Sequence, residues 1–241
     1  VRPVVALALC ALALGGCESS QEKSAQLERQ AKLARARDPA AASHGLSITQ
    51  ISSEVRVVAT QVLHSSEGTA AVVTLRNVSS HALRDVPIAI TVKDAAGSVL
   101  YQNNAPGLEA ALTAVPLLAP GQRLTWIDDQ VQAAGAPTTV NAVVGEAPQA
   151  PVPAPRIALT GVHSSEEGGS SGMVGTVVND SAVAQHGLVV YGLARRGERI
   201  VAAGRAVLSE VAAHGSSSFQ VLFIGSAAGA HVEASAPPST F

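Results

Sequence analysis

The feature that most constrains this fold is a self-echo. His64-Ser65-Ser66-Glu67-Gly68 recurs as His163-Ser164-Ser165-Glu166-Glu167-Gly168, and Thr74-Leu75-Arg76-Asn77-Val78-Ser79 recurs as Thr176-Val177-Val178-Asn179-Asp180-Ser181. Gly97 is echoed by Gly197, and Ala119-Pro120-Gly121 by Ala213-His214-Gly215. A period of about 100 residues is too long for a solenoid and suits tandem domains.

Each copy has the rhythm of short strands. Ile88, Ile90 and Val92 alternate with Ala89, Thr91 and Lys93, as a half-buried strand requires. Asn77 to Ser80, Asp94 to Gly97 and Pro120-Gly121 punctuate such runs with turn residues. The pattern predicts strands over 54–63, 69–76, 86–93, 98–102, 112–118, 122–131 and 138–144. That is about seven, the number used by an immunoglobulin-like sandwich. The second copy predicts strands over 156–162, 173–178, 187–194, 198–206, 217–224 and 230–235. Four prolines lie between Glu146 and Arg156, and each removes a backbone donor, so this stretch reads as a semi-extended spacer.

The expected fold class is all-β: two tandem immunoglobulin-like antiparallel sandwiches behind a signal peptide and a polar, partly helical tether. The boundaries are 1–16 (signal), 17–46 (tether), 47–146 (first sandwich), 147–156 (linker) and 157–241 (second sandwich). With 47 % apolar residues the chain can bury a core, and six aromatics make that core aliphatic. A formal charge of -2 and the lack of any Lys/Arg run argue against nucleic acid as a partner.

The N-terminus sets the expected location. Arg2 precedes the apolar run from Pro3 to Leu14, and small residues precede Cys17, the order of an export signal. The run is shorter than the roughly 20 apolar residues that a membrane-spanning helix needs. Val1 reads as the product of a non-ATG start codon, or the chain as truncated. Leu14-Gly15-Gly16-Cys17 resembles the lipobox of bacterial lipoproteins. The resemblance implies a diacylglyceryl group on the Cys17 thiol, cleavage just before it, and residence on the extracytoplasmic face of the cell membrane. Two acyl chains give durable anchoring where one binds reversibly. Cys10 falls in the segment to be removed, so no disulfide with Cys17 is expected. After Cys17, Glu28 and Lys32 stand at helical spacing, but Leu27 and Leu33 make no continuous apolar face and Pro39 ends any helix.

The order Gly175-Thr176-Val177-Val178-Asn179, then Gly187-Leu188-Val189-Val190, then Arg195-Arg196-Gly197, then Phe219-Gln220-Val221-Leu222-Phe223 resembles the FxLYD-type extracytoplasmic β-sandwich modules of bacteria. More broadly, the chain is similar to uncharacterised actinobacterial lipoproteins built from a lipobox, a tether and two such modules. The FxLYD string itself is absent. The resemblance implies a fold and a location, and it brings no catalytic residue.

Candidate chemistry is sparse. His64, Glu67, His163 and Glu166 are metal-ligating types, but their spacing is that of polar turns in two separate domains. Gly168-Gly169-Ser170-Ser171-Gly172 matches a nucleophile elbow in letters, yet an elbow joins a strand to a helix and this run joins two predicted strands. Trp126 shares a strand face with Leu124, which makes it a core residue with Asp128 and Asp129 at the strand's end. Arg195 to Arg199 reads as a charged hairpin turn. Asn77-Val78-Ser79 and Asn179-Asp180-Ser181 fit the glycosylation pattern and read as turns. The expectation is a lipid-anchored, non-catalytic interaction or scaffold module with an envelope protein partner. It has no catalytic, metal or cofactor residues. The alternative is an envelope lipoprotein that binds a metal, glycan or small molecule.

Overall fold

Hairpins dominate because short polar turns separate runs of β-branched residues. The computed structural model describes residues 45–241 apart from 152, 168 and the side chain of residue 167. The expected signal and all but the last two residues of the expected tether, with Leu14, Gly15, Gly16 and Cys17, lie outside the described residues. The strands of the first repeat are β1 (Val55–Ser65), β2 (Gly68–Asn77), β3 (Leu83–Lys93), β4 (Val99–Gln102), β5 (Ala114–Leu118), β6 (Arg123–Asp128) and β7 (Thr139–Val144). Those of the second are β8 (Ile157–Glu167), β9 (Ser170–Asn179), β10 (Gln185–Arg196), β11 (Arg199–Val211), β12 (Ser216–Leu222), β13 (Ile224–Gly225) and β14 (His231–Ser235). The described chain is all-β, and every strand pairing in it is antiparallel.

The two repeats share one pairing scheme. Sheet β1-β2-β6 corresponds to β8-β9-β12, and β3 between β7 and β4/β5 corresponds to β10 between β14 and β11. They differ at one strand. In the second repeat β11 runs unbroken along β10 from Arg199 to Val211. In the first, its counterpart is split into β4 and β5 by residues 103–113, which hold a short 3-10 helix over Ala110–Leu112.

Asn103 fills the resulting gap. Its Oδ1 accepts from the Ile90 N–H at 2.7 Å, while Nδ2 donates to the carbonyls of Ile88 and Leu112 at 2.8 Å each. A side-chain amide thereby does what a strand backbone does elsewhere. Buried Asn103 leaves none of these three main-chain groups without a partner.

The echoed asparagines are a second shared device. Asn77 Nδ2 donates to the His81 and Leu118 carbonyls, and its Oδ1 accepts from the backbone and hydroxyl of Ser79. Asn179 repeats this with Val183, Val211, Ala212 and Ser181. Both are fully buried, so the Asn-x-Ser runs are structural turns as their sequence suggests.

Burial patterns reveal how the sheets stack. β3 alternates between buried and partly exposed residues, whereas β2 is buried at every position from Thr69 to Leu75 and β10 from Leu188 to Ala194. A strand buried without alternation is covered on both faces. Leu188, Val190 and Ala194 pack with Met173, Phe219, Val221 and Phe223 inside the second repeat. The intervening Val189, Tyr191 and Leu193, with Ile200, Ala203 and Ile224, join the first repeat's core around Val72 and Ile127. The sheets therefore lie in four layers, with β1-β2-β6 and β13-β11-β10-β14 facing each other in the middle.

Residues 45–241 accordingly belong to one compact unit. Burying those six side chains is worth on the order of 10 kcal/mol as an upper estimate. The two repeats thus share one hydrophobic core and hold together as one body. The proline-rich spacer also takes part. Arg84 donates to the Pro148 carbonyl and Ala150 to that of Ala82, so its first half runs along β3. Pro148 is compatible with this edge position because it is used as an acceptor.

Candidate functional site

Two places gather polar chemistry, the seam between the repeats and one end of the stack. At the seam, Arg205 of β11 reaches into the first repeat. Its Nε donates to Asp129 Oδ1 at 2.8 Å and its backbone N–H to Oδ2 at 3.0 Å, while its Nη atoms lie 3.4 Å from Glu109. Its side chain is only 3 % exposed. Burial works against its charge, and Asp129 and Glu109 more than offset this, so the guanidinium is held above its ordinary range.

Asp128 turns the other way, into the first repeat. Its Oδ2 accepts from the Tyr101 hydroxyl at 3.0 Å and its Oδ1 from the Gln130 N–H at 2.9 Å. Burial nevertheless pushes its carboxyl up to about 6, because those two donors and Arg205 compensate only in part. Tyr101 and Tyr191 are both pushed up by burial, and among the described residues the Tyr191 hydroxyl has no hydrogen-bond partner. Trp126 is fully buried in the core, with Nε1 donating to the Ala111 carbonyl at 2.9 Å, as its alternation with Leu124 suggests. Arg205-Asp129 is a clasp between repeats, and its donors and acceptors face one another rather than an open cleft.

The end of the stack is different. The tips of β1–β2, β8–β9 and β10–β11 meet there around residues 224–228. The two His-Ser-Ser-Glu runs belong to these hairpins. They were expected as solvated turns in separate domains, and the structure instead continues β1 to Ser65 and β8 to Glu167. Cross-strand pairing carries the polar residues: His64 Nδ1 lies 2.7 Å from Thr69 Oγ1, directly across the ladder. The fusion of the repeats then brings Glu67 and Glu166 to one cavity.

His163 does not join them, since its Nδ1 contacts the Gly161 carbonyl at 2.7 Å. Ser170 begins β9 directly opposite Glu167, so the elbow-like letters lie in a strand-to-strand hairpin. Among the described residues no three His, Cys, Asp or Glu side chains gather as metal ligands do. Arg195 to Arg199 is the expected tight hairpin, with Gly197 at φ +61° and Arg196 paired with Arg199.

Sequence reasoning did not anticipate Arg205, Glu109 or Asn103. A signal existed for the first: Arg205 is the lone charge inside the apolar run Ile200 to Leu208. No family model matches the chain, and no curated protein matches it either.

Proposed function

We propose that this chain is an envelope lipoprotein, held on the extracytoplasmic face of the membrane by a diacylglyceryl group on Cys17. In this reading two immunoglobulin-like, FxLYD-type sandwiches act as one non-catalytic interaction or scaffold body. The observation that carries the second half of the proposal is the buried seam. Val189, Tyr191 and Leu193 pack into the first repeat's core and Arg205 clasps Asp129, so three hairpin tips are held at one end. Loops presented on a rigid scaffold are the usual place for recognition.

The test has two arms. Cys17→Ser should release the protein from the membrane or leave it unprocessed, and unchanged attachment with normal processing would refute the anchor. A photo-crosslinker placed at Ser66 or Ser226 of the lipidated protein in cells should yield a discrete protein adduct that a crosslinker at Gln102 does not. Adducts from all three positions alike, or from none, would refute recognition through the tips.

A further inference from the structure

The tip end carries opposite charges on two sides of one platform. One lobe, about 370 Å³, is lined by His64 of β1, by Arg196 and Arg199 of the β10–β11 hairpin, and by Gly225 and Ser226. The other, about 360 Å³, is lined by Glu67, Glu166 and Ser171 and by the same Gly225 and Ser226. The two lobes therefore border each other at these two residues. Each lies within the roughly 300–1,000 Å³ typical of small-molecule sites.

The platform is built rather than incidental. Gly225 has φ +101°, and a Cβ there would come within 2.4 Å of the Val201 carbonyl oxygen, so only glycine fits. Ser171 Oγ donates to the Gly225 carbonyl at 3.1 Å, and Arg196 Nη2 donates to the Ala228 carbonyl at 2.8 Å. Gln61 Nε2 ties β1 to the Ile200 carbonyl at 3.0 Å beside the basic lobe. At the acidic lobe the Ser65 and Ser66 hydroxyls donate to Glu67, holding its carboxyl below the usual range and hence ionised. Among the described residues, neither the Arg199 guanidinium nor the Glu166 carboxylate has a hydrogen-bond or ion-pair partner. Glu198, between the two arginines in sequence, does not line either lobe.

We infer that this groove binds a short zwitterionic peptide, with its carboxylate at Arg196 and Arg199 and its ammonium at Glu67 and Glu166. Arg199 supplies the planar fork that matches a carboxylate, and the paired glutamates supply the acceptors that an ammonium requires. Two oppositely charged lobes that border each other at Gly225 and Ser226 call for a ligand with opposite charges at its two ends. The site exists only because the duplicated tips converge, so it rests on the tip end being the recognition face.

Triglycine is the probe, titrated into the full-length, detergent-solubilised chain while the amide resonances of Ser226 and Ala228 are followed by NMR. Saturable shifts are expected, with binding at least 10-fold weaker for Arg199→Ala, for Glu166→Gln, and for N-acetyl-triglycine on the unaltered protein. Both substitutions are at exposed positions, and an unchanged thermal midpoint for each confirms that the fold persists. No saturable shift, or equal binding by both variants and the acetylated peptide, would overturn the inference. If crosslinking from Ser66 and Ser226 succeeds while triglycine fails, the zwitterion is wrong and the interaction face stands; if both fail, both readings fall.

Discussion

Arg205 and Asp129 are 76 residues apart in sequence and joined at two points, main chain to Oδ2 and guanidinium to Oδ1. The clasp crosses the seam at a site where the arginine is almost wholly buried. Removing one member strands the other. Arg205→Met should cost about 3 kcal/mol or more, because Asp129 then keeps a partly buried charge with only a backbone donor. Urea unfolding measures this. Because the repeats share a core, the loss should appear as one transition moved to lower urea; two separated transitions would contradict the shared seam.

Asp128 makes stability depend on pH in an unusual direction for a carboxylate. Its folded-state value of about 6 lies above the ordinary 3.8, so between these values the folded protein binds more protons than the unfolded chain. The stability it contributes is fully present below about pH 4 and is lost as pH rises through about 6. A shift of this size corresponds to roughly 3 kcal/mol. Asp128→Asn can keep both contacts, accepting from Gln130 and donating to Tyr101. The variant should be more stable than the parent at pH 7.5, with the difference shrinking towards pH 4. Urea midpoints measured across that range decide it; a constant difference would show that Asp128 does not titrate there.

Asn103 is the cheapest probe of the split strand. Asn103→Ala leaves the Ile90 N–H and the Ile88 and Leu112 carbonyls unpaired in a buried place, and should cost about 3 kcal/mol or more. Asn103→Asp restores one acceptor and no donor, so it should not recover the loss at neutral pH. Amide exchange at Ile90 should accelerate in Asn103→Ala if the side chain is the strand's substitute, and stay slow if a backbone group takes over.

Legibility in the sequence followed periodicity. β3 was readable because one face is dry and the other is wet: Val86, Ile88, Ile90 and Val92 are buried while their neighbours are partly exposed. β2 and β10 were readable as strands, but their double burial was not, since a continuous apolar run does not say what covers each face. The same ambiguity hid the seam. β11 was expected to stop at 206 and runs to Val211, because polar Glu210 is held by pairing with His186 of β10 rather than by burial. Phe223 was expected within a strand over 217–224; the chain there leaves β9 and pairs Ile224 with Ala203.

By itself the sequence determined the all-β class, the turns at Asn77, Asn179 and Gly197, and the core position of Trp126. These are local consequences of side-chain alternation and turn chemistry, effective over a few residues. Only the tertiary structure decided that the two repeats share a core, that Arg205 meets Asp129, and that the two His-Ser-Ser-Glu hairpins converge on Gly225 and Ser226. Those outcomes depend on which apolar face finds which partner. A hydrophobic face carries no address, because burial rewards area removed from water and not the identity of what covers it.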